Sequence, residues 1–219
     1  MNGLFNYDGS VIHALNKVAD CVILSVFWLV SSIFIVTIGA STTALYYAMN
    51  KCVRRGEGHI SREYWRAFAS NFKQATLLWL PLLAVYALLG ASLYSSYIMC
   101  VSGNLSKGMF YFLIVVIALV LTWASWLFPY MARFSNTIKN TVKNSSLIAL
   151  FNMPVTLLQL VFLVAAVAAI GIFPLVILCA PGLYMIGACC TMEPVFLKYM
   201  TPEDRKKEEE LMKAHQPKK

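Results

Sequence analysis

His13, Asn16, Lys17 and Asp20 are the first residues of the chain whose types and spacing could do chemistry. Offsets of four and seven put His13, Lys17 and Asp20 on one helical face, with Asn16 beside them. Lys17 and Asp20 lie at a spacing that allows pairing. Such a set reads either as a polar, water-filled pocket on the outer side of a membrane or as the interfacial start of a helix with snorkelling side chains. Glu193 is the second position of interest. It directly follows the uncharged run 154–192, in TMEPVFLKYM, and either pairs with an arginine from a basic loop or sits in water. Asn152 and Gln159, at the start of that run, read as interhelical hydrogen-bond donors.

Enzyme motifs are absent. There is no HExxH, no GxSxG, no phosphate loop and no Gly-rich nucleotide fingerprint, and His59 and His215 are isolated. The six cysteines, Cys21, Cys52, Cys100, Cys179, Cys189 and Cys190, form no CxxC pair or Cys/His cluster. They read as buried small apolar residues rather than a zinc site or disulfide framework, with Cys189-Cys190 a conceivable acylation point. The expectation is a protein that is not an enzyme, with no catalytic residue, no cofactor and no metal.

The elements that hold these residues are apolar. The chain of 219 residues is 59% hydrophobic and 13% charged, against about 45–50% and about 25% in soluble domains, so the lipid bilayer is its first partner. Five runs are long enough to span: 21–39, 75–99, 109–132, 154–172 and 174–192. The last two come from one uncharged run, which must fold back at Gly171 and Pro174; Pro181-Gly182 predicts a kink in the last span. The domain organisation is a single membrane domain over 1–200 and a charged cytoplasmic tail over 201–219. No cleavable signal peptide is evident.

The net charge of +8 comes from loops. Sixteen Lys and Arg lie in 40–74, in 133–153 and after the last span, and only Lys17 and Lys107 lie on the other side. This bias predicts a cytoplasmic C-terminus and an N-terminus outside the plasma membrane. It does not fit nucleic acid as a partner, because no basic, aromatic-interleaved domain is present. Within the loops, SREYWRAFASNFKQ (61–74) and ARFSNTIKNTVKNSSLIALF (132–151) carry apolar residues at helical spacing and read as two interfacial amphipathic helices.

GASTTALYYAMNK (39–51) reads as the inner exit of the first span. Gly39, Ala40 and Ser41 permit a close turn, Thr42 and Thr43 satisfy freed backbone groups, and Tyr46 and Tyr47 sit at headgroup level. NFKQATLLWLP (71–81) and NSSLIALFNMP (144–154) both run from Asn to Pro in ten steps out of an amphipathic helix into a span. They suggest a parallel internal repeat, in which Pro81 and Pro154 bend a surface helix into the bilayer without wholly breaking it. The small-residue rows Ala87, Ala91, Ser95 and Ala165, Ala169 suit close helix packing, either inside the bundle or against a partner. Trp28, Trp79, Trp123 and Trp126 read as packing or belt residues.

GASTTALYYAMNK, FASNFKQATLLWL and FPYMARFSNTIKNTVKNSSLIAL, in this order and spacing, resemble the YesL-like family of bacterial membrane proteins, a domain of unknown function. The resemblance covers most of residues 4–175. It departs at Val36, where the family commonly has Pro. Members are small multi-span proteins, often encoded beside sugar ABC transporters and polysaccharide-degradation genes, so the resemblance implies a link to carbohydrate uptake by association only. The combined expectation is an all-α polytopic protein of about five spans, accessory or regulatory to ABC-type carbohydrate uptake. The alternative is a small permease-like subunit. The expected partner is a sugar ABC transporter or another membrane protein. Thr42, Thr43, Tyr46, Tyr47, Asn71, Phe72, Lys73, Arg133 and Asn136 are the elbow residues placed to meet it.

Overall fold

The computed structural model describes residues 5–102 and 107–200, with side chains from 15 onward; His13 and the tail 201–219 lie outside the described side chains. Seven α-helices follow in order: α1 Phe5–Ser31, α2 Ile38–Ala48, α3 Ile60–Val101, α4 Lys107–Arg133, α5 Ile138–Phe151, α6 Met153–Ile172 and α7 Ala180–Tyr199. Three tight helical turns link them: 3-10 turns at Ile35–Thr37 and Pro174–Leu178, and a π-helical turn at Met49–Arg54. No strand occurs among the described residues.

The fold is that of an all-α polytopic membrane protein. Among the described residues, α3, α4, α6 and α7 are long and apolar enough to cross a membrane. In the most apolar window of α6, of mean hydropathy 2.6, only 6% of residues are buried within the fold. Leu157, Val161, Val164 and Val167 point outward there. In water that face would be costly to expose; hydrocarbon removes the cost while the helix satisfies its own backbone.

The apolar run 21–39 is not one helix. It ends at Ser31, and Phe34 is extended at φ −82° and ψ 111°. Ile33, Ile35, Val36, Thr37 and Ile38 are β-branched and favour helix weakly, but Ile114, Val115, Val116 and Ile117 are β-branched too and lie in the unbroken α4, so specific bonds hold the break. The Thr37 hydroxyl then donates to the carbonyls of Ser31 and Phe34, and the Trp79 indole N–H donates to the Ile35 carbonyl at 2.7 Å. The chain therefore reverses, and α2 runs back along α1, with Trp28 Nε1 donating to Thr42 Oγ1 at 3.1 Å.

This reversal moves GASTTALYY from the expected interfacial exit to the middle of the bundle. Eight of the eleven residues of α2 are buried, and it contacts α1, α3, α4 and α7. Its small residues make that possible. A Cβ on Gly39 would lie 2.8 Å from both Phe128 Cε1 and Trp79 Cβ. Thr43 is fully buried, its hydroxyl donating one turn back to the Gly39 carbonyl.

The two Asn-to-Pro stretches adopt different conformations. Residues 71–81 lie in the unbroken α3, which runs through Pro81 for 42 residues, roughly 63 Å at 1.5 Å per residue. The expected interfacial helix 61–74 is thus continuous with a span. Residues 144–154 instead cross a true break at Asn152 (φ −116°, ψ 49°), and Pro154 opens α6, where a missing N–H costs nothing. Pro181-Gly182 likewise falls in the first turn of α7 rather than kinking a span.

Gly182 fixes the contact of α7 with α1. Its N–H donates to Ser25 Oγ at 2.9 Å, and an added Cβ would stand 2.5 Å from both the Cys21 carbonyl oxygen and Ser25 Oγ. Gly182→Ala is expected to lower stability by about 1–3 kcal/mol through overpacking against backbone. Gly171→Ala, where nothing lies within 4 Å, should shift it by less than about 1 kcal/mol. Unfolding of the two variants in mild detergent checks the difference.

Candidate functional site

The site grows from α7. Ala188, Cys189, Met192, Glu193 and Phe196 recur on one helical face, and each is at most 1% exposed. That face meets α2, so the Glu193 carboxylate enters the core beside Tyr46. The Tyr46 hydroxyl donates to Glu193 Oε2 at 3.0 Å. Arg133, from the end of α4, approaches Oε1 at 2.9 Å, and Arg55, just past the π-helical turn, approaches it at 3.2 Å. Arg54 stands at 3.9 Å and is held by Asn50 Oδ1 at 2.8 Å. A fully buried carboxylate is costly unless it is paired and hydrogen-bonded, and here both conditions are met by groups from three separate segments. Burial, with Cys189 and Glu193 beside it, holds the Tyr46 phenol well above its ordinary value, so it remains a donor.

A second carboxylate anchors the start of α3. Glu63 pairs with Lys51 at 3.1 Å and with Arg66 one turn on. Arg66 also donates to Tyr47 OH at 3.1 Å, and the Lys51 ammonium lies 5.7 Å from the Tyr47 ring centroid. Beneath this cluster, Ser31 and Tyr64 share a buried hydroxyl contact of 2.6 Å. Gly58, at φ +78°, brings the loop against Glu63, whose Cγ would stand 3.2 Å from an added Cβ.

Between these clusters and α1 lies a pocket of about 370 Å³ lined by Asn16, Lys17, Asp20, the segment Cys52–Gly56, Gly58, His59 and Ile60. Three of the four polar residues singled out at the start of the chain therefore do line one pocket. It lies beside the basic elbow, however, not on the opposite side. The α1–α2 reversal is the reason: it returns the chain to the level from which α1 set out. Lys17 and Asp20 form no ion pair with each other among the described residues.

The expected elbow residues separate into two groups. Tyr46 and Arg133 meet at Glu193, and Tyr47 joins the Glu63 cluster. Asn136 accepts from Gln74 Nε2 through its carbonyl at 2.7 Å and donates to Tyr130 OH at 2.9 Å, so it ties α3 to α4. Thr42 and Thr43 are spent on intrahelical bonds and the Trp28 contact. Asn71 bonds within its own helix, Phe72 meets Phe68 edge-to-face, and Lys73 is exposed. Tyr46 is not lipid-facing: its ring is 1% exposed and packs edge-on against Phe196. Gln159 donates to Thr191 Oγ1 at 2.6 Å, joining α6 to α7. Ala87, Ala91, Ser95 and Ala165 face outward rather than packing inside. Among the described residues no group of three or more His, Cys, Asp and Glu converges as a metal site.

Glu63, Arg54 and Arg55 had not been singled out. One signal could have found them: between residues 21 and 200 the only acidic residues are Glu57, Glu63 and Glu193. A carboxylate so scarce among so many cations is a natural centre for pairing.

Residues 21–93 match the family model described as "Protein of unknown function, DUF624". That match takes in α1 from Cys21 onward, all of α2, the elbow and most of α3. It holds Tyr46, Arg54, Arg55 and Glu63 and stops short of Arg133 and Glu193. No curated protein and no solved structure matches the chain.

Glu193→Ala leaves buried guanidinium groups and the Tyr46 hydroxyl without their shared acceptor, and is expected to cost about 3–5 kcal/mol, read as a loss of folded protein in detergent unfolding. A pH effect is expected at Cys52. Burial first, and then the Glu63 charge, pushes its thiol from 9.0 to about 11. Below that value the thiol stays protonated, so at pH 9 about one part in a hundred is thiolate, the reactive form. Iodoacetamide labelling of the Cys52 peptide, followed by mass spectrometry, should climb only as pH approaches 11.

Proposed function

We propose that this chain is a non-enzymatic membrane protein of the YesL-like type that assists or regulates ABC-type carbohydrate uptake by binding the transporter within the bilayer. The observation that carries this reading is the contrast between interior and exterior. Inside, Tyr46, Trp126, Tyr130, Phe134 and Phe196 interlock at ring-centroid distances of 4.7–6.2 Å. Met192, Cys189 and Leu45 fill the space around them. A carrier needs a polar path between its halves; a close-packed aromatic core suits a scaffold. Outside, the small-residue row Ala87, Ala91, Ser95 on α3 is bare, the kind of face along which a second apolar helix approaches closely. The match to a family model without an assigned function leaves the sugar link resting on the resemblance.

The same reading places the basic end in the cytoplasm. Because Lys17 lines a pocket with Arg54 and Arg55, α1 begins on that side too. The hairpin α1–α2 enters and returns, four helices cross, and both ends of the chain are cytoplasmic, in place of the outer N-terminus expected from five spans. There, Lys73, Lys139 and Lys143 face anionic lipid or partner.

Affinity purification in mild detergent should recover transporter subunits with the wild-type chain, and Ala91→Phe should lose them while the chain stays folded. Sugar uptake by proteoliposomes holding the pure chain would overturn the accessory reading. Reporter fusions at both ends should report the cytoplasm; an exported N-terminal reporter would refute this topology.

A further inference from the structure

The pocket between α1 and the elbow borders the Glu193 cluster and shares Arg54 and Arg55 with it. Its lining carries Lys17, Arg54, Arg55 and the carboxylate Asp20, with Glu193 within ion-pair distance of the two arginines. The Arg54 guanidinium is held by Asn50, and Arg55 beside it is bonded to Glu193, so the position of Arg54 is set before any ligand arrives. Pre-oriented arginines are the usual means of gripping phosphate oxygens. Lys17 comes from a different element, the exposed side of α1, and forms no ion pair with Asp20.

His59 and Ile60 close the pocket where α3 begins. His59 makes no side-chain cap there, and the positive end of a 42-residue helix adds to the local field. Cys52, Val53 and Ile60 supply apolar wall, and Asn16 and Asp20 supply groups for hydroxyl or amino hydrogens. At about 370 Å³ the space is at the lower end of small-molecule sites and far larger than a lone chloride requires.

We propose that this pocket binds a phosphate-bearing anion: a phosphate ester whose oxygens meet Lys17 and Arg54 and whose small polar group meets Asn16 and Asp20. Two sources share that chemistry, the headgroup of an anionic phospholipid and a soluble phosphate ester. The proposal goes beyond the accessory reading and does not depend on it.

Cys52 reports occupancy, since it lines the pocket. Full-length protein is labelled with the uncharged reagent methyl methanethiosulfonate at about pH 10, where about a tenth of the Cys52 thiol is thiolate, and modification of the Cys52 peptide is followed by mass spectrometry. One arm uses an uncharged detergent with glycerol phosphate against chloride at equal ionic strength. The other uses phosphatidylcholine nanodiscs with and without phosphatidylglycerol. Occupancy is expected to slow Cys52 labelling by about threefold or more, as for a site mostly filled, in at least one arm. Protection by glycerol phosphate assigns a soluble ester; protection by phosphatidylglycerol alone assigns a lipid headgroup. Lys17→Gln, which breaks no ion pair among the described residues, and Arg54→Gln should each remove most of the protection, with unchanged melting of Lys17→Gln verifying the fold. No protection in either arm, or protection that survives in both variants, would overturn the proposal.

Discussion

A single carboxylate, Glu193, dictates much of this structure. It sits at zero exposure on α7, where an unpaired charge could not persist. Its partners come from α2, from the elbow that follows the π-helical turn, and from the last residue of α4. Those segments are far apart in sequence, and the need to compensate one charge brings them to one point. Charge-assisted bonds of this kind set geometry more than they add net stability, because desolvation offsets much of the attraction. Their consequence here is convergence: α2, α4 and α7 meet at the basic end, and the long apolar helices extend from that junction.

The second constraint is the narrowness of α2. Gly39, Ala40, Ser41, Thr43, Ala44 and Ala48 give it little side-chain bulk, so α3 and α4 approach closely enough for Phe128 and Trp79 to close over Gly39. A helix surrounded by four others must also hide its polar groups. Ser41, Thr42 and Thr43 do so by donating one turn back. The two constraints support each other. Tyr46 belongs to both, since its ring packs on Phe196 and its hydroxyl serves Glu193.

Much of the class was legible in residue order. The apolar runs 75–99, 109–132 and 154–172 lie within α3, α4 and α6, because twenty consecutive apolar residues have few other stable states in lipid. The run 21–39 misled for a specific reason. Hydropathy counts apolar residues and is blind to the Thr37 and Trp79 bonds that hold the reversal after Ser31. The same blindness separated Asn16, Lys17 and Asp20 from the basic elbow, whose pocket they line. The pairing of Glu193 was visible as one of two options; the identity of its arginines was not, since Arg54, Arg55 and Arg133 are indistinguishable from other basic loop residues in one dimension.

By itself, then, the sequence determined an all-α membrane-type chain, the lengths of its long apolar helices, and the gathering of its basic residues into particular segments. These follow from local composition and from the period of a helix. Tertiary structure alone decided that α2 is central rather than interfacial, that Glu193 collects Tyr46 and three arginines, and that Asn16, Lys17 and Asp20 share a pocket with the elbow. The physical reason is that each depends on a chain reversal at 32–37 and on contacts between segments up to 147 residues apart. Side-chain volume and buried charge select such contacts only once the helices are assembled.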